Sequence, residues 1–329
     1  MSHHANISIF VPHLGCEHRC SFCNQNVITG KLNAPNISDI DEAVKVAVSS
    51  KNYSAANTEI AFFGGSFTAI GRTYMTELLE AASKYVKDGT VAGIRLSTRP
   101  DAIDREVLSI LKENGVTAVE LGAQSMADTV LVANKRGHTV DDIINASRLI
   151  KEFDISLGLQ MMTGLYGDCE ELSLKTAEKI IELKPDTVRI YPTIVLKNTL
   201  LEVLYKKGVY KPQSLEAAVA VCTKLLKLFR ENNINVIRLG LHTIDMDSYV
   251  AGPWHPSMRE LCEGKLYLAL ALNVLTEPGN YEIYVNQSAV SKMIGQKKSN
   301  IEYLKNMGYN CKVKVNNELA DFNVISTRM

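Results

Sequence analysis

The chain has 329 residues, 46% of them hydrophobic, enough to fill the core of one large domain and a smaller one. Lys+Arg and Asp+Glu both number 36, so the net charge is zero and no global field draws in nucleic acid or a membrane; any basic surface has to be local. No run of about 18 apolar residues occurs, and the opening MSHHANISIFVPHLG lacks the charged and apolar regions of a signal peptide, so a cytoplasmic protein away from membranes is expected.

In chain order, short apolar runs at Ile7–Val11, Glu59–Phe63, Ile94–Ser97, Ala118–Leu121, Ser156–Met162 and Thr187–Tyr191 read as buried parallel strands. Between them, apolar residues three and four apart mark helices at Ile40–Val48, Tyr74–Val86, Arg105–Asn114, Val140–Phe153 and Leu172–Leu183. Six βα units in a row predict a parallel α/β sheet or barrel up to about residue 195, with a shared site at the C-terminal ends of its strands. The α/β pattern continues through a helix at Leu215–Asn232 and a strand at Asn235–Leu241, then becomes irregular. The tail reads strand (YEIYVN), helix–turn–helix (SAVSKMIGQKKSNIEYLKNMG), strand (YNCKVKV), strand (ADFNVIS).

GCEHRCSFCNQ follows the first strand and places Cys16, Cys20 and Cys23 in a CxxxCxxC arrangement. The other four cysteines, Cys169, Cys222, Cys262 and Cys311, are scattered singly, which reads as reduced thiols plus one cofactor site. A disulfide would use two of the three thiols and leave one over. A structural zinc would need His13 or His18 as fourth ligand, and no second ligand pair follows. Three thiolates suit a cubane iron–sulfur cluster, whose fourth iron is left open for a ligand. An open iron implies chemistry.

Seven stretches in order, FVPHLGCEHRCSFCNQ, FFGGSFTAI, STRPDAI, VELGAQS, NKRGHTVDDII, MMTGLYGD and RIYPTIVLKNTLLEVLYKKGVYKP, resemble the radical S-adenosylmethionine (SAM) superfamily. More narrowly they resemble the radical SAM domain of the Elongator catalytic subunit family, over roughly residues 7 to 215. The resemblance implies a partial (β/α)6 radical SAM barrel with a 4Fe–4S cluster on Cys16, Cys20 and Cys23. It also implies that SAM binds the open iron and is cleaved reductively to a 5′-deoxyadenosyl radical, with electrons from a donor such as a ferredoxin or flavodoxin.

Gly64 and Gly65 close the second strand, where missing Cβ atoms let a ligand approach the backbone. In the family that turn, with Ser66, receives the amino group of SAM. Phe22 stands where relatives place an aromatic near the adenine. Gln124 and Arg136 match residues that hold the ribose and the methionine carboxylate, and an Arg fork suits a carboxylate. Glu120 interrupts an apolar strand, so it must be paired or face the barrel interior. It and Tyr191, at the end of the sixth strand, are the candidate catalytic residues; a salt bridge and core packing are the competing readings. Ser97 departs from the family, in which relatives usually carry a Glu, so that ribose contact is absent or replaced, with Glu120 one candidate. His242 and His255 could act as ligands or acid–base groups, though a lone His is more often packed or solvent-facing.

The Elongator family continues into an acetyltransferase domain, whereas only about 75 residues follow Pro253 here, with no Gly-rich acetyl-CoA loop. In the tail, IGQKKSNI resembles the KH signature, whose GXXG loop clamps nucleic-acid backbone, although Lys298 replaces the last Gly. Six lysines stand against one acid, Glu302, between residues 292 and 314. Gly295, Lys297 and Lys298 are therefore candidate RNA contacts. The expected organisation is a radical SAM barrel with its extension (1–245), a connecting helical segment (246–277) and a small α+β KH-like domain (278–329). The expected function is RNA modification, on tRNA or rRNA. The alternatives are a radical SAM enzyme acting on a small molecule such as a porphyrin, as in coproporphyrinogen oxidases, and a non-catalytic iron–sulfur RNA-binding protein.

Overall fold

The computed structural model describes residues 4–11, 19–24, 33–241 and 244–329. Cys16, His13, His18 and His242 lie outside them. Seven parallel strands form one sheet: β1 (Ala5–Val11), β2 (Thr58–Gly64), β3 (Gly93–Thr98), β4 (Val116–Gln124), β5 (Ser156–Thr163), β6 (Thr187–Pro192) and β8 (Asn235–Leu239). Their spatial order is their chain order, with β1 and β8 at the edges, and the sheet curls into a half-barrel. The expected six-strand barrel is thus present and extended by β8, which pairs with β6. The helices α1 (Ile37–Val48), α2 (Arg72–Lys87), α3 (Arg105–Glu113), α4 (Asp128–Ala133), α5 (Val140–Glu152) and α6 (Glu170–Glu182) make the crossovers that parallel pairing requires. The connection from β6 to β8 carries β7 (Val195–Leu196), α7 (Leu200–Lys206) and α8 (Leu215–Glu231). β7 pairs antiparallel with β9 (Tyr249–Ala251), a pairing the sequence did not announce.

The two faces of the sheet differ. Ile7, Ile60, Leu96, Leu121, Leu159 and Ile190 point outward into one apolar core against the helices. Their alternate neighbours, among them Ser8, Arg95, Glu120, Gln160, Arg189 and Tyr191, belong to the concave face. That face surrounds a cavity of about 1860 Å³. Runs that read as apolar on both sides are therefore half polar, because the inner face holds a cavity rather than a packed core.

α9 (Met258–Val274) joins the barrel to the tail. Its first half, with Met258, Cys262 and Leu266, packs in the barrel core, and its second half, with Tyr267, Leu268 and Ala271, packs in a separate one. The second core also takes Tyr281, Ile283 and Val285 of β10 (Gly279–Val285), Met293 of α10 (Val290–Ile294) and Leu304 of α11 (Ser299–Asn306). β10 pairs in parallel with β11 (Tyr309–Val315) and antiparallel with β12 (Ile325–Arg328). The strand–helix–helix–strand–strand order is the one the tail sequence predicts, but the last strand begins at Ile325, so most of the predicted ADFNVIS run is turn and loop.

Candidate active site at the strand ends

Cys20 and Cys23 share a tight turn in which the Cys23 amide donates to the Cys20 carbonyl at 3.2 Å. Ser21 between them is fully buried and anchors the turn. Its hydroxyl donates to Asn134 Oδ1 at 2.6 Å, its amide donates to the Asn134 carbonyl at 3.0 Å, and its carbonyl accepts from the Leu201 amide at 2.8 Å. Phe22 packs against Val195, Leu201 and Tyr210, and lines the cavity together with both cysteines.

Arg136 follows α4, just before the Thr139–Asp142 capping box that starts α5. It is buried, and its Nη1 donates to Cys20 Sγ at 3.1 Å while Nη2 donates to the Gly122 carbonyl at 2.6 Å. Its guanidinium lies 6.0 Å from the centre of the Phe22 ring. Gln124 ends β4 with a positive φ of 65°, beside a register shift against β5. Bulges of this kind re-aim side chains. Gly122 makes the room: a Cβ there would lie 3.0 Å from Gln124 Nε2 and 3.2 Å from Arg136 Nη2. Gly64 has φ of 111°, and a Cβ on it would stand 3.0 Å from the Val11 carbonyl oxygen, so only glycine fits against β1 at this turn, which lines the cavity. Next to it the Gly65 amide donates to the Val11 carbonyl at 2.8 Å. The Ser66 hydroxyl is already engaged, 2.9 Å from Thr98 Oγ1 and accepting from the Arg99 amide at 2.9 Å.

Among the described residues, Gln124 Oε1, Arg136 Nε and His138 Nδ1 are buried with no hydrogen-bond partner. Such atoms are rare in folded proteins and call for an explanation; Gln124 and Arg136 line the cavity mouth, where a ligand could supply the partner. Burial first, and then the charge of Arg136, push the His138 imidazole down to about 4, so it is neutral at physiological pH.

Below this mouth Glu120 faces the interior and is also salt-bridged, uniting its two readings. Its carboxylate lies 2.6 Å from Arg189 Nε and accepts from Arg189 Nη2 at 2.7 Å and Gln160 Nε2 at 3.0 Å, with Arg95 at 3.9 Å. Ser97 lies 3.4 Å from the same Gln160 amide. Tyr191 is a cavity residue, not a core one; Arg189 Nη1 stands 3.5 Å from its hydroxyl, and burial raises its pKa. Arg189, Arg95, Gln160 and His138 were not singled out from sequence. The polar residues on alternate positions of β3, β5 and β6 were the available signal. His255 is away from the cavity. Its Nδ1 accepts from the Ser257 amide at 3.0 Å, and its Nε2 lies 3.5 Å from Gln296 of the tail. Gly295, Lys297 and Lys298 form a turn between α10 and α11, all three with positive φ, Gly295 half-buried and the two lysines exposed.

A family profile described as the Radical SAM superfamily matches residues 10–180, just over half of the chain, and one described as Radical_SAM C-terminal domain matches residues 185–267. A tRNA uridine(34) acetyltransferase from Methanocaldococcus jannaschii is 36% identical over 129 residues, covering 38% of this chain and 24% of that protein. Elongator complex protein 3 from Danio rerio is 27% identical over 234 residues, covering 65% of this chain and 42% of that protein. The chain thus spans about a quarter of the length of the acetyltransferase relative and under half of the second. Among solved structures, the archaeal Methanocaldococcus infernus Elp3 with an N-terminal deletion superposes with a TM-score of 0.62 at 22% identity, covering 85% of this chain and 66% of that one, a likeness of fold. No helix among the described residues is long and apolar enough to cross a membrane.

Proposed function

The chain belongs to the radical SAM superfamily, and from that premise we propose that it is an enzyme that cleaves SAM reductively at a 4Fe–4S cluster and modifies RNA, tRNA first of all. The observation that carries the first part is the convergence of Cys20, Cys23, Phe22, Gly64, Gln124 and Arg136 on one cavity mouth from distant points in the chain. The tRNA part is supported by the printed name of the acetyltransferase relative and by the basic turn at Gly295–Lys298.

The residues present fit the cofactors. Cys20 and Cys23, with Cys16, would hold three irons, and the Arg136 guanidinium already donates to Cys20 Sγ. The unpartnered Gln124 Oε1 and Arg136 Nε, with the Gly64 turn at the cavity mouth, would receive the polar groups of SAM. When bound and reduced, the pair supplies a hydrogen-abstracting radical to the cavity. The chain's own contribution is orientation and exclusion of water. Arg136 and Gln124 fix the ligand at the rim, Ser21 holds the cysteine turn, and Glu120 keeps Arg189 and Gln160 in place beside Tyr191. The Tyr191 hydroxyl, protonated at neutral pH, is one hydrogen-bonding group that faces the cavity.

The test has two arms. Anaerobic reconstitution should give about four irons and four sulfides per chain, and reduced protein should convert SAM to methionine and 5′-deoxyadenosine. Cys20→Ala and Cys23→Ala should lose the cluster while Cys169→Ala keeps it. Mass spectrometry of RNA nucleosides from a deletion strain should then show one modification missing. Zinc without iron uptake would sink the first arm; an unchanged nucleoside profile with intact SAM cleavage would move the substrate to a small molecule.

A further inference from the structure

The charges lining the cavity are mostly arginine. Arg95 pairs with Glu59 at 3.0 Å, Arg189 pairs with Glu120, and Arg136 belongs to the rim. Arg238 on β8 is different: among the described residues no carboxylate pairs with it, although it lines the same cavity.

Its position depends on a register shift. Val188 of β6 pairs with Val236 of β8, but the next residue, Arg189, pairs with Arg238. Ile237 is the extra residue. In an unbroken register Ile237 would stand beside Arg189; the bulge turns it out of step and sets a second guanidinium there instead. Like charges directly across a strand pair destabilise a sheet. The nearby carboxylate does not relieve this, because Glu120 already serves Arg189 and Gln160. The Tyr191 hydroxyl is on the same wall, but it is held protonated and brings no charge. Burial disfavours the Arg238 cation, and the neighbouring Arg189 charge adds to it. Two guanidiniums side by side on a cavity wall are the natural counterpart of an anion, whose binding offsets their repulsion.

We propose that Arg238, set beside Arg189 by this bulge, forms an oxyanion subsite in the barrel interior that holds a phosphate or carboxylate group of the substrate. The inference rests on the proposed function only in assigning that group to the substrate; the binding itself is measurable without turnover.

The experiment follows the thermal midpoint of the full chain during titration with inorganic phosphate, and separately with acetate, at constant ionic strength. Wild type is compared with Arg238→Gln, Arg238→Lys and the remote surface control Lys87→Gln. Phosphate stabilises most proteins unspecifically, so the readout is the difference from the Gln variant. Wild type and Lys87→Gln should share a saturable rise. Arg238→Gln should need about ten-fold more anion or lose the rise, as expected for a lost charge-assisted hydrogen bond. Arg238→Lys should keep part of it. The steeper arm, phosphate or acetate, identifies the substrate group. Without anion, the midpoint of Arg238→Gln should equal or exceed that of wild type, because a like-charge pair has been relieved. Equal responses in wild type and Arg238→Gln, no response in wild type, or a lower anion-free midpoint in Arg238→Gln would overturn the subsite. SAM cleavage on the same preparations separates the two readings: a specific anion response without SAM cleavage removes the proposed chemistry and leaves the subsite.

Discussion

Arg136 and Gln124 were identifiable as residues because their motifs, NKRGH and VELGAQS, are distinctive, but their unpartnered atoms became visible only in three dimensions. Arg136→Ala should weaken SAM binding by about 10- to 150-fold, the value of one charge-assisted hydrogen bond, and Gln124→Ala by about 2- to 13-fold, the value of a neutral one. The iron content should stay intact, since neither residue is a cluster ligand. Equilibrium binding of SAM on reconstituted protein checks this, and normal affinity in both variants would contradict the assignment. His138 yields a prediction in pH. Its folded-state pKa is depressed from 6.5 to about 4, by burial and by Arg136, against weaker opposing pulls from the Ala123 carbonyl, Asp101 and Asp142. Between those values the unfolded chain binds the proton and the folded chain does not. The stabilisation is therefore present above pH 6.5 and declines as pH falls towards 4, by roughly 3 kcal/mol in all. Urea unfolding of wild type and His138→Gln at pH 7 and pH 5 should show a smaller loss in the variant; parallel losses would exclude His138 as the source.

At the level of elements, the strands carry two messages at once. Their outward residues build the apolar core, and their inward residues build a charged interior that tolerates no crowding. Gly158 of β5 shows this: a Cβ there would lie 2.8 Å from Glu120 Cγ. Glu120 is 2% exposed and held from the opposite side by Arg189, so it has little freedom to retreat. Gly158→Ala should cost about 1–3 kcal/mol as an overpacking substitution. It should also weaken the Glu120–Arg189 pair, whereas Gly89→Ser, at an exposed turn with open space around it, should leave that pair alone. Chemical denaturation measures the first effect; an unchanged midpoint for Gly158→Ala would mean that Glu120 moves freely. The bulges near Gln124 and Arg238 belong to this scale too. Each shifts a polar side chain by one position; the first falls at Gly122–Ala123, while the second, at Ile237, carries no Gly or Pro to mark it.

At the scale of the molecule, the lysine-rich tail is less basic than its sequence window. Lys292 pairs with Glu263 of α9 at 2.9 Å, and Lys314 lies 3.7 Å from Glu282 of β10. Lys297 and Lys298 remain exposed, in left-handed backbone that lysine rarely adopts. Asn300 braces this turn, donating to the carbonyls of Gly264, Lys292 and Met293 at 2.8, 3.1 and 3.2 Å. If the turn grips RNA, replacing Lys297 and Lys298 by Asp should weaken binding sharply. Each lost phosphate contact should lower the log–log salt slope by roughly 0.7 to 0.9. Substrate-free SAM cleavage should be unaffected. Gel-shift titrations at two salt concentrations decide it, and equal binding by both proteins would remove the tail from RNA recognition.

The primary structure by itself determined the order of βα units, the cysteine triplet, the glycine turn at Gly64 and the Gln and Arg of the rim. Those features are local: periodicity, spacing and a few residues with unusual backbone freedom. Only the tertiary structure decided what the charged residues do. Glu120 finds its partner on β6, Lys292 finds Glu263 on α9, and the slip at Ile237 brings Arg238 beside Arg189. Ion pairs and strand register join positions tens of residues apart, and no local pattern encodes which charge will meet which across a curled sheet.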